Sequence, residues 1–384
     1  MSAPDPVVVV GAGPVGLSAA LAAHALGLRP LLLEARARTA ERPGSRAVFV
    51  HRATLDRLDA VRPGLGTEIA ARGLVWDTKR TLWAGRQVHL RTYPADPATA
   101  PFTSLPQTVV EDLLRRACDE AGVRTLWGDP VREAVPSSDG VRLRTASGAV
   151  HRARHVVAAD GARSAVREAV GIGLDGSTSA TEFVVVDVAD GERPARPERV
   201  FHYRHPAAGG RHVLLVPFRG GWRVDVQCRP DDDARHLAAT AREWLPAVLP
   251  QVPGPEVTWS SVYRFQLRVA ARFADATGRV LLAGEAAHLL PPFGARGMNS
   301  GVGDAVAAAR AVRDDAVEAY ARERRTAAER NVRAAGAALD HLLARRPGLR
   351  LLQRSAAAAA PLWPRAGRWL DAAPYGPRIR KVRY

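Results

Sequence analysis

The sequence predicts an α/β fold, because a strand, a glycine-rich turn, a helix and a second strand follow one another at its start. Residues 6–10 are a β-branched run (Pro-Val-Val-Val-Val), and the turn Gly11-Ala-Gly-Pro-Val-Gly16 follows at once. The apolar spacing of residues 17–28 is that of a helix, and the apolar run 28–34 ends in an acid, Glu34. These segments predict a β-α-β unit with a right-handed crossover.

Strand patterns are short and closely spaced through the middle of the chain. Residues 123–157 alternate strand-like runs with a turn cluster (Pro-Ser-Ser-Asp-Gly) at 136–140, which is typical of hairpins. Residues 183–265 hold further β-rich runs and one predicted helix over 234–245, so we expect a mostly antiparallel sheet there. From Asp304 onward, Ala and Arg at helical spacing predict a helical end.

The composition is that of a globular protein. Hydrophobic residues make up 47% and charged residues 24% of the chain, which supplies enough apolar surface for a core and excludes a disordered protein. No apolar run approaches the roughly 20 residues that cross a bilayer, so we expect no membrane partner and a cytoplasmic location. Cys118 and Cys228 lack metal-ligand spacing, so neither a metal site nor a disulfide framework is expected.

The net charge of +16 raises the question of nucleic acid, because clustered Lys and Arg neutralise phosphates. The arginines are scattered along the whole chain, and the only lysines are Lys79 and Lys381. We therefore expect a solvated basic surface and no nucleic-acid partner. A steep salt dependence of DNA binding would be needed to support that alternative.

The glycines of the first turn have distinct uses in a dinucleotide-binding unit. Gly11 permits the turn, Gly13 lets backbone N–H groups approach a pyrophosphate, and Gly16 allows close packing of helix on strand. The phosphates then lie at the helix N-terminus, and Glu34 can accept both hydroxyls of a ribose. The same glycine spacing at 171–176 precedes no helix and predicts a loop. These residues alone leave FAD and NAD open as the cofactor.

Three later stretches carry further motifs. They are Asp160-Gly161-Ala-Arg-Ser164-Ala-Val-Arg167, then Gly278-Arg-Val-Leu-Leu-Ala-Gly284-Glu285-Ala-Ala-His288, and Pro291-Pro-Phe-Gly-Ala-Arg-Gly297-Met-Asn299-Ser-Gly301 with Asp304-Ala305. Together with the glycine turn, Ser45-Arg46-Ala47 and Leu105-Pro106-Gln107, they resemble the FAD-dependent aromatic hydroxylases, the group A flavoprotein monooxygenases. Within that family the chain is similar to polyketide and phenol hydroxylases, and we do not expect the thioredoxin-like C-terminal domain that larger relatives have.

The resemblance implies the para-hydroxybenzoate-hydroxylase fold. That fold has a Rossmann-like FAD domain, a substrate domain built on a mixed or antiparallel β-sheet, and a helical C-terminus. The expected division is 1–73, 101–182 and 264–340 for the FAD-binding domain, 74–100 and 183–263 for the substrate domain, and 341–384 for the helical C-terminal segment. A monomer or homodimer is expected.

The resemblance also implies roles for particular residues. Glu34 is expected at the adenosine ribose, Arg46 and Gln107 at the pyrophosphate or ribityl chain, Asp160 at FAD and the passing NAD(P)H, and Glu285 at the ribityl chain. The loop that enters the helix near Gly297 is expected to pass the flavin ring and to favour the negative charge of reduced flavin. The full expected cofactor-binding set is Gly11, Gly13, Pro14, Gly16, Glu34, Ala35, Arg36, Arg46, Ala47, Gln107, Asp160, Gly161, Gly284, Glu285, Pro292, Gly294, Gly297, Met298 and Asn299. No catalytic side chain is identified, and Arg46 and Pro292 are the candidates near the flavin.

The implied activity is that of an NAD(P)H- and O2-dependent monooxygenase, an oxidoreductase that hydroxylates a phenolic or polycyclic, polyketide-type aromatic compound in natural-product biosynthesis. FAD carries the chemistry through a flavin C4a-hydroperoxide, and NADPH or NADH is a transient co-substrate. Relatives with the same motifs perform epoxidation, Baeyer–Villiger insertion or oxidation without hydroxylation, and these reactions stay open as alternatives.

The sequence departs from the family pattern at two places. Position 285 is Glu where the family most often has Asp, so the side chain is one methylene longer. Residues 305–317 lead almost directly into Tyr320-Ala-Arg-Glu-Arg, so this segment is shorter than is usual in the family.

Overall fold

A computed structural model of the chain describes residues 5–42, 47–92, 100–190 and 196–376. Its strands, in chain order, are β1 (Asp5–Val10), β2 (Pro30–Glu34), β3 (Ala47–His51), β4 (Thr78–Trp83), β5 (Arg86–Thr92), β6 (Phe102–Pro106), β7 (Arg124–Trp127), β8 (Val131–Ser137), β9 (Gly140–Thr145), β10 (Val150–Ala158), β11 (Leu174–Ala189), β12 (Glu198–His205), β13 (Arg211–Phe218), β14 (Gly221–Gln227), β15 (Val257–Ala270), β16 (Val280–Leu282) and β17 (His288–Leu289).

The helices of the same ranges are α1 (Pro14–Ala25), α2 (Arg52–Val61), α3 (Leu65–Arg72), α4 (Gln107–Glu120), α5 (Ala165–Ala169), α6 (Ala234–Ala239), α7 (Ala241–Val248), α8 (Arg296–Asp314), α9 (Val317–Leu343), α10 (Pro347–Ala359) and α11 (Pro364–Ala372). Short 3-10 turns occupy Pro206–Ala208, Gly284–Ala286 and Ala373–Tyr375. None of these helices is both long and apolar enough to cross a membrane.

The first sheet has seven strands and carries the nucleotide-type unit. Its order is β7-β2-β1-β10-β9-β8, with β16 also paired to β10. Strands β7, β2, β1, β10 and β16 are parallel, whereas the β8-β9-β10 end is antiparallel. The predicted β-α-β unit and the predicted hairpins of residues 123–157 are therefore present. Val8, Leu32 and Val156 are completely buried at the centre of this sheet, as the apolar runs predict.

Helix α1 packs between the first sheet and α8. A Cβ atom on Gly301 of α8 would lie 2.5 Å from Cγ2 of Val15 on α1, so only glycine allows this approach. Helix α8 therefore packs closely against the start of α1, and the first glycine turn and the last of the motifs lie near each other.

The second sheet has eight strands in the order β17-β15-β11-β14-β13-β12-β4-β5. Its pairs are antiparallel except for β12 with β4. Alternation along β11 turns Val184 and Val186 toward the core beneath α6 and α7, whereas Phe183 packs on the other face with Phe265 and Leu339. That second face is covered by the C-terminal helices.

Two local predictions are wrong. The single helix predicted over 234–245 is two helices, because the backbone leaves the α-helical region at Thr240 (φ −91°, ψ 17°), which ends α6, and α7 begins at the next residue. The predicted loop at 171–176 is a loop only in its first half, since β11 starts at Leu174. A Cβ on Gly176 would lie 2.0 Å from the Leu267 carbonyl oxygen, so this glycine allows β15 to approach.

The domain division stays a prediction. Strands β4 and β5 join the second sheet, and the predicted boundaries at 182/183 and 263/264 fall inside the long strands β11 and β15. These two strands pair along most of their length and connect the region of the first sheet to the second.

Candidate cofactor and substrate site

The motif residues meet at the carboxyl ends of four adjacent parallel strands. Backbone hydrogen bonds continue past the strand ends from Gly11 N–H to Leu33 O (2.7 Å), from Ala159 N–H to Val10 O (2.8 Å) and from Ala283 N–H to Ala158 O (2.9 Å). The glycine turn, Glu34, Asp160 and Gly284 therefore lie side by side at one edge of the sheet, which is where α/β sheets bind their ligands.

The glycine turn has no room for larger residues at two of its positions. Gly11 has φ +101°, and its Cβ would lie 2.5 Å from the Ala159 carbonyl oxygen. A Cβ on Gly16 would lie 1.8 Å from the Gly11 carbonyl oxygen. Both glycines are thus required by the turn itself, whatever it binds.

Gly13 differs from these two because it borders open space. It is the N-cap of α1, no side chain caps this helix end, and Pro14 follows at the first helical position. A Cβ on Gly13 would meet no atom within 4 Å. An uncapped helix N-terminus beside a cradle that a single methyl group would begin to fill fits a phosphate group, and so fits the pyrophosphate of FAD.

Glu34 is fixed beside the turn by two backbone donors. Its Oε2 accepts the Ala12 N–H at 2.5 Å, and its Oε1 accepts the Arg36 N–H at 3.0 Å. The side chains of Ala35 and Arg36 are exposed at the rim. Each carboxylate oxygen has a further lone pair, so the geometry leaves Glu34 able to accept ribose hydroxyls.

Asp160 is held inside its own motif. Oδ1 accepts the Ser164 hydroxyl at 2.5 Å, and Oδ2 accepts the Val166 N–H at 3.1 Å, while Ser164 in turn caps α5. Burial raises the pKa of Asp160 against the opposing effect of these hydrogen bonds. Gly161 beside it has φ +83° and open space where a Cβ would lie. The hydrogen bonds of Asp160 therefore hold the backbone of its motif in place, and the open space lies next to Gly161.

The third motif contains a buried charge cluster that the sequence did not indicate. Oδ2 of Asp304 on α8 accepts the Gly284 N–H at 3.1 Å and pairs with His288 Nε2 at 2.7 Å, and its Oδ1 accepts Arg324 Nε at 2.7 Å. Burial opposes ionisation of Asp304, but the charges and hydrogen bonds of His288 and Arg324 outweigh it and lower the pKa of the carboxyl. This cluster fixes the Gly284 turn, while Glu285 next to it is exposed.

The loop before α8 has the geometry of an uncapped helix entrance. The Pro292 carbonyl accepts the Ala295 N–H at 2.9 Å, and Ala295 has φ +52° and begins α8 without a side-chain cap. Gly294 has φ +74°, and a Cβ on Gly297 in the first helical turn would meet no atom within 4 Å. Pro292 is exposed, and Met298 is half-buried. The loop can therefore present backbone N–H groups to a ligand.

Asn299 ties this loop to β3. Its Nδ2 donates to the carbonyls of Phe49 and Ala295, both at 2.7 Å, and its Oδ1 accepts the His51 N–H at 2.9 Å. The described contacts of Asn299 are thus all with the protein backbone, and its side chain positions the loop.

Gln107 begins α4, and its Nε2 donates to Glu111 Oε1 at 2.8 Å. Oε2 of Glu111 also accepts a hydrogen bond from Nη1 of Arg42 at 3.3 Å, and the sequence did not indicate this contact. Arg46 lies outside the described residues, as does the side chain of Ala47, whose backbone begins β3.

A cleft of about 630 Å³, partly open to solvent, lies between the second sheet, the 292–295 loop and the C-terminal helices. Its aromatic lining comes from six residues, Phe49, Phe183, Phe201, Phe265, Phe293 and Tyr375. Its polar lining is Arg199, His212, Asp225 and Gln227. Burial, with the charges of His341 and Arg204, lowers the pKa of His212 to about 4, so this imidazole is neutral near pH 7.

The cleft residues, apart from the 292–295 loop, were not predicted individually. Phe183 and Phe201 lie in runs that predict strands, and period-two alternation places alternate residues on one face. That pattern could have grouped Arg199 with Phe201 and Asp225 with Gln227, but it does not say which face of the sheet meets the 292–295 loop.

Comparisons with known proteins agree with this geometry. Residues 5–335 match the family described as FAD binding domain. A 3-(3-hydroxy-phenyl)propionate/3-hydroxycinnamic acid hydroxylase of Mycobacterium sp. (strain JLS) is 30% identical over 316 residues, which are 78% of this chain and 52% of the relative. A 6-methylpretetramide 4-monooxygenase of Streptomyces rimosus is 33% identical over 333 residues, 83% of this chain and 57% of the relative.

Among solved structures, the p-nitrophenol 4-monooxygenase from Pseudomonas putida DLL-E4 superimposes with a TM-score of 0.79 at 26% identity, covering 99% of this chain and 100% of that one. The chain spans about half the length of the curated relatives it matches. Family match, identity and fold agree with the motifs in their order along the chain. The chain belongs to the FAD-binding domain family of the FAD-dependent aromatic hydroxylases.

Proposed function

We propose that this protein binds FAD along the carboxyl ends of the first sheet and uses NAD(P)H and O2 to hydroxylate an aromatic compound held in the cleft. The observation that carries the proposal is the cleft itself: its lining includes the side chains of five Phe residues and one Tyr, and one of its walls is the 292–295 loop at the entrance of α8. The names of the three relatives denote hydroxylation or monooxygenation, and two of them name phenyl or phenol compounds.

Bound FAD would supply the redox chemistry, accepting a hydride from NAD(P)H and activating O2 for transfer of one oxygen atom. In balance, one substrate C–H becomes C–OH, the second oxygen atom leaves as water, and NAD(P)H is oxidised with uptake of one proton. The protein contributes binding, orientation and exclusion of water. We assign the pyrophosphate to Gly13 and the start of α1, the adenosine ribose to Glu34, and the flavin ring to the loop that ends at Gly297.

The proposal also gives roles to other side chains of the expected cofactor-binding set. Glu285 is exposed beside the Gly284 turn and has no described contact that would prevent it from meeting the ribityl chain. We assign Gln107 and Asp160 to the border of the FAD site, and Asn299 holds the loop before α8. The aromatic walls, with Phe183 and Phe265 4.3 Å apart between ring centroids, favour a planar substrate and keep water from the reacting atoms. The cytoplasmic location and the monomer or homodimer stay predictions.

A true substrate is expected to accelerate reduction of the bound flavin by NAD(P)H at least about tenfold, roughly 1.4 kcal/mol on the barrier. The described strands and helices contain one dinucleotide-binding unit, so we expect NAD(P)H to dock transiently at the same flavin. A substrate can make better contacts with the arrangement of the site in which the flavin accepts hydride. Its binding then increases the population of that arrangement and speeds reduction of the flavin. Anaerobic stopped-flow measurement of flavin bleaching, over a panel of phenols and polycyclic aromatics, tests this.

The control is a panel compound that binds but is not converted. Equal rates of flavin reduction with and without every converted compound would contradict substrate-gated reduction and favour an oxidase-type flavoprotein.

A further inference from the structure

Helix α10 and the turn that joins it to α11 carry an exposed apolar surface. Seven large hydrophobic side chains are exposed in the described part of the chain, and the four most exposed of them lie within residues 351–363. They are Leu351 (66% exposed), Leu352 (54%), Leu362 (93%) and Trp363 (58%). Single exposed apolar residues are ordinary, but a cluster of this kind marks a place where another surface binds.

The periodicity of α10 explains why these side chains lie together. Leu351 and Ala358 are about two helical turns apart, and Leu362 follows about one turn later, so the three project from one side of the helix and the turn after it. Gln353 and Ala356 lie on the other side and are buried. The apolar side chains therefore face away from the protein.

The surface around these side chains is basic. Between Asp340 and Asp371 the sequence contains six arginines and no acidic residue. All six arginines are exposed, and none of them has a carboxylate partner among the described residues. They are Arg345, Arg346, Arg350, Arg354, Arg365 and Arg368. This stretch combines exposed apolar side chains with positive charge that the described protein does not neutralise.

An anionic lipid surface matches that combination. Leucine and tryptophan side chains enter the boundary between headgroups and acyl chains, and arginines are attracted to the negative charge of the headgroups. Leu362 and Trp363 stand on a turn between Pro361 and Pro364, so they can enter a fluid layer without a preformed pocket in the partner. A second copy of this chain would present the same positive charge, which opposes association.

We propose that this surface, formed by the four apolar side chains and the six arginines, docks the protein on a membrane that contains anionic lipids. The expectation of no membrane partner rested on the lack of an apolar run long enough to span a bilayer, and none of the described helices can span one. A helix that lies on the membrane surface needs no such run. The proposal is independent of the proposed function, because lipid binding requires neither NAD(P)H nor a substrate.

The test measures binding of the FAD-loaded protein to vesicles by cosedimentation. One kind of vesicle contains phosphatidylcholine alone, and the other contains phosphatidylcholine and phosphatidylglycerol in equal parts. We expect the wild-type protein to bind the anionic vesicles at least about tenfold more tightly, and added salt to weaken this binding. The double variant Leu362→Ser with Trp363→Ser is expected to bind them about tenfold more weakly than wild type, because its turn no longer enters the lipid.

The matched control is the double variant Val135→Ser with Val150→Ser. It removes two exposed apolar side chains from the first sheet and is expected to bind the anionic vesicles like wild type. All four replaced side chains are exposed, so both variants are expected to fold and to keep FAD, which the flavin absorbance and the urea midpoint check. If the Leu362 and Trp363 double variant folds poorly, Trp363→Ser alone replaces it.

Two results would overturn the proposal. The first is wild-type binding to the anionic vesicles that is no tighter than to the neutral ones, including no binding to either, which would leave an acidic protein as the partner of this surface. The second is equal binding of wild type and the Leu362 and Trp363 variant, because the net charge of +16 alone would then account for the adhesion.

Discussion

Replacement of Asp304 by alanine is expected to lower the free energy of unfolding by about 3 to 5 kcal/mol. Asp304 is fully buried between His288 and Arg324, and the variant leaves both of these side chains buried without their carboxylate. The Gly284 N–H loses its acceptor too, so the turn that borders the proposed FAD site loosens. Urea unfolding of the FAD-loaded protein measures the loss.

Asp314→Ala is the matched control on the same helix. Asp314 pairs with its neighbour Arg313, and both side chains are about half exposed, so its removal is expected to change stability by less than about 1 kcal/mol. Equal losses in the two variants would show that the buried cluster has no special role.

The same cluster gives a pH dependence of stability. The folded protein lowers the pKa of Asp304 below its ordinary value of 3.8, so the unfolded chain binds the proton more readily. The stabilisation is therefore complete above that ordinary value and is lost as the pH falls through the lower folded pKa. Unfolding midpoints of wild type and Asp304→Ala are expected to converge only in strong acid.

Alanine substitutions at Gly16 and Gly13 are expected to distinguish the residue that the fold of the turn requires from the residue that ligand binding requires. Gly16→Ala places a methyl group 1.8 Å from a backbone oxygen, so the turn must move, and both the stability of the FAD-free protein and its FAD content are expected to fall steeply. Gly13→Ala meets no protein atom within 4 Å, so the FAD-free protein is expected to unfold like wild type.

For Gly13→Ala the expected loss is in the affinity for FAD, at least about tenfold, or ~1.4 kcal/mol. The methyl group takes the space through which the pyrophosphate approaches the N-terminus of α1. Titration of the FAD-free proteins, followed by flavin fluorescence, gives the dissociation constants. An unchanged dissociation constant for Gly13→Ala would show that the pyrophosphate does not lie there.

Local patterns were sufficient to predict the β-α-β unit of the first sheet. The turn from Gly11 to Gly16 is specified by steric limits within a few residues, and the strand ending in Glu34 is specified by an apolar run. The order of the later motifs then predicted the fold class, and the start of α8 near Gly297 followed from the same resemblance. These are features in which neighbours along the chain decide the structure.

The cleft could not be predicted in this way because its residues come from distant parts of the chain. Phe183, Phe265 and Tyr375 belong to β11, β15 and the last 3-10 turn, and no local spacing relates them. The Lys79–Asp371 ion pair joins residues 292 positions apart and holds the C-terminal segment on the second sheet. The cluster at Asp304 is likewise a tertiary feature, since Arg324 reaches it from the next helix.

The split of the predicted helix 234–245 has a different cause. Its composition favours a helix throughout, but the backbone angles of Thr240 lie outside the α-helical region, which separates α6 from α7. Sequence periodicity indicates which residues share a face, and it does not report the backbone angles of a single residue.

The proposed function requires that this protein transfer one atom of O2 to an aromatic ring. The most direct test is turnover of a converted aromatic compound with NAD(P)H under O2 labelled with the heavy oxygen isotope, followed by mass spectrometry of the product. We expect a product with an intact ring system that carries one labelled oxygen atom, and a product without label when only the water is labelled. An unlabelled product, or consumption of NAD(P)H that yields only hydrogen peroxide, would contradict it.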